Sequence, residues 1–267
     1  MPVLPVRKIV EQKLFPSHST LGILHQRLQS EPEIILEGLH GSSRSLLASL
    51  LFASNTDSLI AVLATEKDAQ EFFRDCQVFS NQTDVLHYPA WDILTADFFA
   101  VQKEIELARM EALSILLSNR PCLMVTSLPA LVQKIIPRPL FSGYMKTLSL
   151  GDMVDRDDLA QKLLAGGYIK KTLVEAKGEF STRGNIIDIY PPAMANPFRI
   201  ELMGDEVESI RQFDPVSQRS SVETLEFQIV PVRELILTDR RKQRAVRNIR
   251  IRANDLELPR HIKDHLT

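Results

Sequence analysis

The chain has 267 residues, 44% hydrophobic and 25% charged, with 32 basic against 34 acidic residues and a formal net charge of −2. That balance fits one large or two smaller globular domains, excludes a largely disordered chain, and gives the whole chain no electrostatic reason to bind nucleic acid. The richest apolar stretch, Leu46 to Ala53, is too short to span a membrane; no secretory leader is visible; and two cysteines, Cys76 and Cys122, cannot build a disulfide framework or zinc cluster, so a reducing cytoplasm is expected.

Up to about residue 140 the pattern is strand, loop, helix, repeated. Glu33 to Glu37 reads as a short apolar strand, followed by a Gly-rich loop and a helix over Arg44 to Ala53. Ser58 to Leu63 is a second strand, and Thr65 can cap the helix after it, where Phe72, Cys76 and Phe79 recur at helical spacing. Val85 to Tyr88 is a third strand ended by Pro89, Lys103 to Leu117 a helix, and Pro121 to Thr126 a fourth strand before a short helix reaching Ile136. Such alternation predicts a parallel sheet with helices on its faces. Pro137, Pro139 and Gly143 mark a linker. Beyond it come a helix over Asp155 to Leu164, ended by Gly166-Gly167, and strands at Ile169–Val174, Gly184–Tyr190, Phe198–Met203 and Val207–Phe213, the last two joined by a Gly204-Asp205 turn. The fold class is therefore α/β, a parallel-sheet lobe with a small α+β domain at about 145–232. From Pro231 onward the chain reads as largely helical and basic.

The loop after the first expected strand sits where a phosphate-binding loop would work, with backbone N–H groups to cradle phosphates and a lysine for the β and γ oxygens. It reads Gly38-Leu39-His40-Gly41-Ser42-Ser43-Arg44-Ser45. Gly38 and Gly41 are present, Ser43 replaces the last glycine, Arg44 replaces the lysine, and Ser45 holds the magnesium-ligand position. A Cβ at Ser43 crowds the phosphate path, and a planar guanidinium does not replace a compact ammonium. No acidic pair after an apolar strand offers a partner magnesium site. The loop reads as vestigial.

The stretch GLHGSSRSLLASLL, the pair YPAWDILTADFF and IELARMEAL, and above all the blocks GEFSTRGNIIDIYPP and RIELMGDEVESIRQFDPVSQRS resemble the N-terminal UvrB-like region of bacterial transcription-repair coupling factors (the Mfd family). The resemblance covers about residues 30 to 235. It departs locally: Thr95-Ala96 and Phe99-Ala100 replace family residues. It implies a degenerate, helicase-like lobe over 1–144 and an inserted UvrA-binding domain over 145–232. Residues 233–267 would begin the segment that completes the lobe. It also implies a UvrA-recruiting role, with no cofactor in this region. ATP, magnesium, RNA polymerase and DNA would be engaged by parts of a longer protein, an ATP-dependent DNA translocase. UvrB carries a long aromatic hairpin that grips damaged DNA, whereas Tyr88 to Lys103 spans only 16 residues, too few for two strands. Trp91 and Phe98-Phe99 therefore read as packing aromatics.

Candidate partner residues cluster in the small domain. Arg183, beside Gly184, can present a guanidinium to a partner carboxylate, or pair inside its own domain. Lys170 and Lys171 would share its face if their strands ran antiparallel, and Phe180 would be an interface anchor or a core residue. Asp239 to Arg252 holds seven basic residues against one acidic; it reads as a solvated helix face or, through Arg240, Arg241, Lys242 and Arg244, as a contact to a DNA backbone. His261 and His265 lack a third ligand, and Glu201, Asp205, Glu206 and Glu208 lie on an open hairpin, so neither a metal site nor catalytic residues are expected. The alternatives are an ATP-binding lobe of a UvrB- or helicase-type enzyme, against which Ser43 and Arg44 speak, and a nonspecific DNA-binding module.

Overall fold

The computed structural model describes residues 20–54, 56–81, 84–91, 103–236, 239–257 and 259. The expectations for Phe98-Phe99, Thr95-Ala96, His261 and His265 lie outside them. The chain divides into two compact units at Ile135/Ile136.

The first unit contains helices α1 (Thr20–Ser30) and α2 (Ser43–Ser54), strand β1 (Leu59–Leu63), helix α3 (Glu66–Phe79), strand β2 (Val85–Tyr88), helix α4 (Lys103–Leu117), strand β3 (Leu123–Ser127) and the single turn α5 (Leu128–Leu131). The strands form a parallel sheet in the order β1-β3-β2. Period-two alternation in β3 divides the core into two layers. Leu123 and Val125 join Ala69, Cys76 and Val85 on one face, whereas Cys122 and Met124 join Leu86, Ala112 and Ile115 on the other. Thr65 caps α3 as expected, its Oγ1 accepting from the Asp68 N–H at 3.1 Å. Both cysteines are free and buried, and burial pushes the Cys76 thiol up to about 11, the state of a packing residue.

One expected strand is absent. Residues 33–37 form no regular element and pair with nothing in the sheet, and Ile35 is 78% exposed. An apolar run of three residues, Ile34 to Leu36, has strand propensity, but a strand exists only where another backbone accepts its hydrogen bonds. Among the described residues, no ladder includes this segment.

The second unit contains helix α6 (Arg138–Tyr144), strand β4 (Lys146–Ser149), helix α7 (Arg156–Ala165), strands β5 (Ile169–Lys170), β6 (Glu179–Arg183), β7 (Ile186–Ile189), β8 (Phe198–Met203), β9 (Glu206–Phe213), β10 (Ser220–Glu223) and β11 (Glu226–Ile229), and helix α8 (Asp239–Asp255). Six strands form one sheet, β10-β9-β8-β7-β6-β5, and β11 pairs with β4. The sheet is antiparallel except at β5-β6. Its apolar face carries Phe180, Ile187, Ile189, Phe198, Ile200 and Leu202, all buried. The ring of Phe198 stacks on that of Phe227 in β11, with centroids 4.3 Å apart. Gly166 and Gly167 end α7 as expected. Gly167 has φ +95°, and a Cβ on Gly166 would run into the Tyr144 ring.

Candidate partner-binding surface

The polar face of the six-stranded sheet is built by the same alternation that fills the core. Register sets Ser181 of β6 beside Asp188 of β7, Asp188 beside Arg199 of β8, and Arg199 beside Arg211 of β9. Asp188 is completely buried and held from two sides. Arg199 donates through Nε at 2.8 Å and Nη2 at 3.0 Å, and Arg183 donates through Nη2 at 2.7 Å. Two cations around one carboxylate satisfy its lone pairs without water. Arg199 also lies over the Phe213 ring, 4.7 Å from its centroid. Farther along the sheet Arg211 reaches Glu223 at 3.0 Å, and Ser209 donates to Glu201 at 2.8 Å.

Arg183 is the last residue of β6, and Gly184, at φ +56°, turns the chain into β7. Its side chain remains 44% exposed, against 16% for Arg199. The reading of Arg183 as paired inside its own domain is thus met through one nitrogen tied to Asp188, and the side chain stays partly open to solvent.

Two sequence expectations are corrected here. Strand β5 runs parallel to β6, with Lys170 level with Phe180, so Lys170 falls on the sheet face opposite Arg183. Lys171, one residue beyond β5 and exposed, donates its N–H to the Phe180 carbonyl at 2.8 Å and has the parity of Arg183. Phe180 is fully buried, hence a core residue and not a surface anchor.

The Gly38–Ser45 loop has positive φ at Gly38 (+78°) and Gly41 (+53°) and leads into α2. Ser43 Oγ donates to the His40 carbonyl at 2.7 Å. Ser45 is buried, its hydroxyl between the Ser42 carbonyl at 3.0 Å and the Asp75 carboxylate at 3.1 Å, so this side chain is engaged inside the fold. The hollow beside the loop, 360 Å³, is lined by Asp68, Glu71 and Asp75 against Arg44 and Arg74. Three carboxylates to two guanidiniums give it a net negative lining, opposite to what a polyphosphate needs.

Two networks in the first unit, one half-buried and one fully buried, are not foreshadowed by the sequence motifs. Glu66, the first residue of α3, lies at the carboxyl ends of β2 and β3. Its carboxylate accepts from Ser127 Oγ at 2.6 Å and the Ala90 N–H at 3.0 Å, with His87 Nε2 3.0 Å away. Burial pushes this carboxyl up, but the hydrogen bonds from His87, Ser127 and Ala90 outweigh it and hold Glu66 below its ordinary value. Arg109 of α4 is fully buried. It donates to the Pro89 carbonyl at 2.7 Å, with its guanidinium 4.2 Å from the Tyr88 ring centroid and 4.6 Å from that of Trp91. This packs Trp91 against α4. The separation of the YPAW and IELARMEAL blocks along the chain was the available signal, since a buried arginine needs a distant acceptor.

Helix α8 is exposed at Arg241, Lys242, Arg244, Arg247 and Arg250, and buries Ala253. Arg240 lies in its first turn. Among the described residues no group of His, Cys, Asp and Glu could hold a metal ion, and no helix is long and apolar enough to cross a membrane.

The residues that build the sheet and its polar face fall within a recognisable module: residues 147–235 match the UvrB interaction domain family. Over most of its length the chain is also related to transcription-repair-coupling factors. It is 32% identical over 232 residues to that of Bacillus subtilis (86% of this chain, 19% of the relative) and 32% over 239 residues to that of Myxococcus xanthus (87% and 20%). The Staphylococcus haemolyticus factor is 31% identical over 206 residues (77% and 18%). The chain spans about a fifth of the length of these relatives.

Proposed function

We propose that this chain is the UvrA-recruiting part of a transcription-repair coupling factor, acting in the cytoplasm where RNA polymerase has stalled on damaged DNA. The observation that carries this reading is the UvrB interaction domain over 147–235, whose polar sheet face presents a half-exposed Arg183 at a hairpin end. A guanidinium already oriented by Asp188 loses little conformational freedom on meeting a second carboxylate, so it suits an acidic patch on UvrA. Lys171 adds a longer-range, salt-sensitive attraction on the same parity.

The test is a binding titration of the 267-residue chain against UvrA. Arg183→Ala should weaken binding by about 2 kcal/mol, roughly thirtyfold, because a desolvated partner carboxylate is left unpaired. The domain should stay folded, since Arg199 still makes two contacts to Asp188. A natively folded Arg183→Ala protein with undiminished UvrA binding would place the interface elsewhere.

This part of the protein binds no nucleotide in the proposed reading, and ATP with magnesium is used by parts outside it. The basis is Ser43 and Arg44 in the loop, Ser45 engaged with Asp75, and the acidic lining of the hollow. Calorimetry with ATP and magnesium should show no heat above dilution. A dissociation constant in the low micromolar range would instead favour the ATP-binding lobe.

A further inference from the structure

We propose that α8 carries a binding ridge for the phosphate backbone of duplex DNA, formed by Arg241, Arg244, Arg247 and Arg250. This does not rest on the UvrA reading. The four arginines recur at every third residue, in the run Arg-Lys-Gln-Arg-Ala-Val-Arg-Asn-Ile-Arg. At 1.5 Å rise per residue they follow one another about every 4.5 Å along the axis, winding over one half of the helix circumference. All four are exposed. Val246, half-buried, and Ala253, buried, lie on the other half, so the anchored side and the ridge are opposed.

Helix neighbours at i±3 and i±4 are where an exposed arginine finds its counter-charge. None of these four has Asp or Glu at any such position; within the helix the neighbours are Arg, Gln, Ala, Val, Asn and Ile residues. Each arginine instead sits one turn from another arginine, so the row repels itself. The helix tolerates this in water, and a line of external anions relieves it. The helix holds no Phe, Tyr or Trp on which an unpaired base could stack, and a duplex offers the denser line of charge, one per 1.7 Å of axis, so duplex DNA is the partner whose chemistry fits. The ridge differs from the set Arg240, Arg241, Lys242 and Arg244 expected from the charge run alone. Helical geometry adds Arg247 and Arg250 and leaves out Lys242, which falls on the half of the helix that carries Val246 and Ala253.

The experiment is fluorescence anisotropy of a labelled 30-base-pair duplex with the 267-residue chain, from 50 to 200 mM salt. Four phosphate contacts predict a slope near −3.6 in log affinity against log salt, a loss of roughly 150-fold across that range. Changing all four arginines to Gln, a residue of similar helix propensity, should abolish measurable binding at 50 mM, whereas the four Arg→Lys changes should retain the slope. Arg247→Gln alone should reduce the slope by about one. Circular dichroism checks that the helix persists. Undetectable binding at 50 mM, a four-Gln variant that binds like the parent, or tighter binding to a single strand of the same length would each overturn the proposal.

Discussion

Replacing Asp188 by alanine is expected to destabilise the second unit by about 3 kcal/mol or more, the cost of breaking a buried ion pair from one side. Asp188 is completely buried, and both Arg183 and Arg199 depend on it. Removing the carboxylate leaves Arg199 largely desolvated, with the Gln218 carbonyl, the Phe213 ring and the more distant Glu201 carboxylate, none of which replaces the two direct hydrogen bonds to an anion. For a unit of this size that loss should lower the thermal midpoint by more than ten degrees. Asp188→Asn keeps an acceptor but not the charge, and should cost roughly half as much. Thermal denaturation followed by circular dichroism checks both. An Asp188→Ala protein melting within about two degrees of the parent would mean that the two arginines hold the sheet face without their shared anion. The comparison also separates stability from recognition, since Arg183→Ala removes one clamp and leaves the other.

Arg109→Ala should destabilise the first unit by about 3 kcal/mol, through a cavity beneath two rings, a lost hydrogen bond to Pro89 and two lost cation–π contacts. Arg109→Lys keeps a cation but loses the planar fork that stacks and donates together, and should recover less than half of that. Trp91 is the single tryptophan of the chain, so its fluorescence reports this site directly. The alanine variant should show a red-shifted emission maximum together with a lower thermal midpoint. Unchanged emission in a folded Arg109→Ala protein would mean that Trp91 is held by other contacts.

The sequence by itself determined the elements whose stabilising contacts are periodic. The alternation of apolar runs with helical stripes predicted the parallel lobe; the limits of β2 and α4 agree with the spacing, and Thr65 caps α3. Period-two alternation in Phe198 to Met203, with a Gly204 turn, predicted the β8-β9 hairpin. Its long blocks also carried the relationship to the coupling factors, because they combine turn glycines with core positions at fixed offsets. Tertiary structure alone decided what depends on partners distant in the chain. Residues 33–37 have strand composition but no ladder, and Glu179 to Arg183, outside the expected strands, is strand β6 because β7 folds back on it. The parallel pairing of β5 separated Lys170 from Arg183, and the register of β6 turned Phe180 inward, since one residue of shift exchanges the faces of a strand. Glu66 with His87 and Ser127, Arg109 with Tyr88 and Trp91, and Asp188 between two arginines are assembled across 11 to 61 residues of chain, apart from the nearer Arg183. A buried charge says only that a partner must exist; which residue supplies it is settled by how strands and helices meet in space.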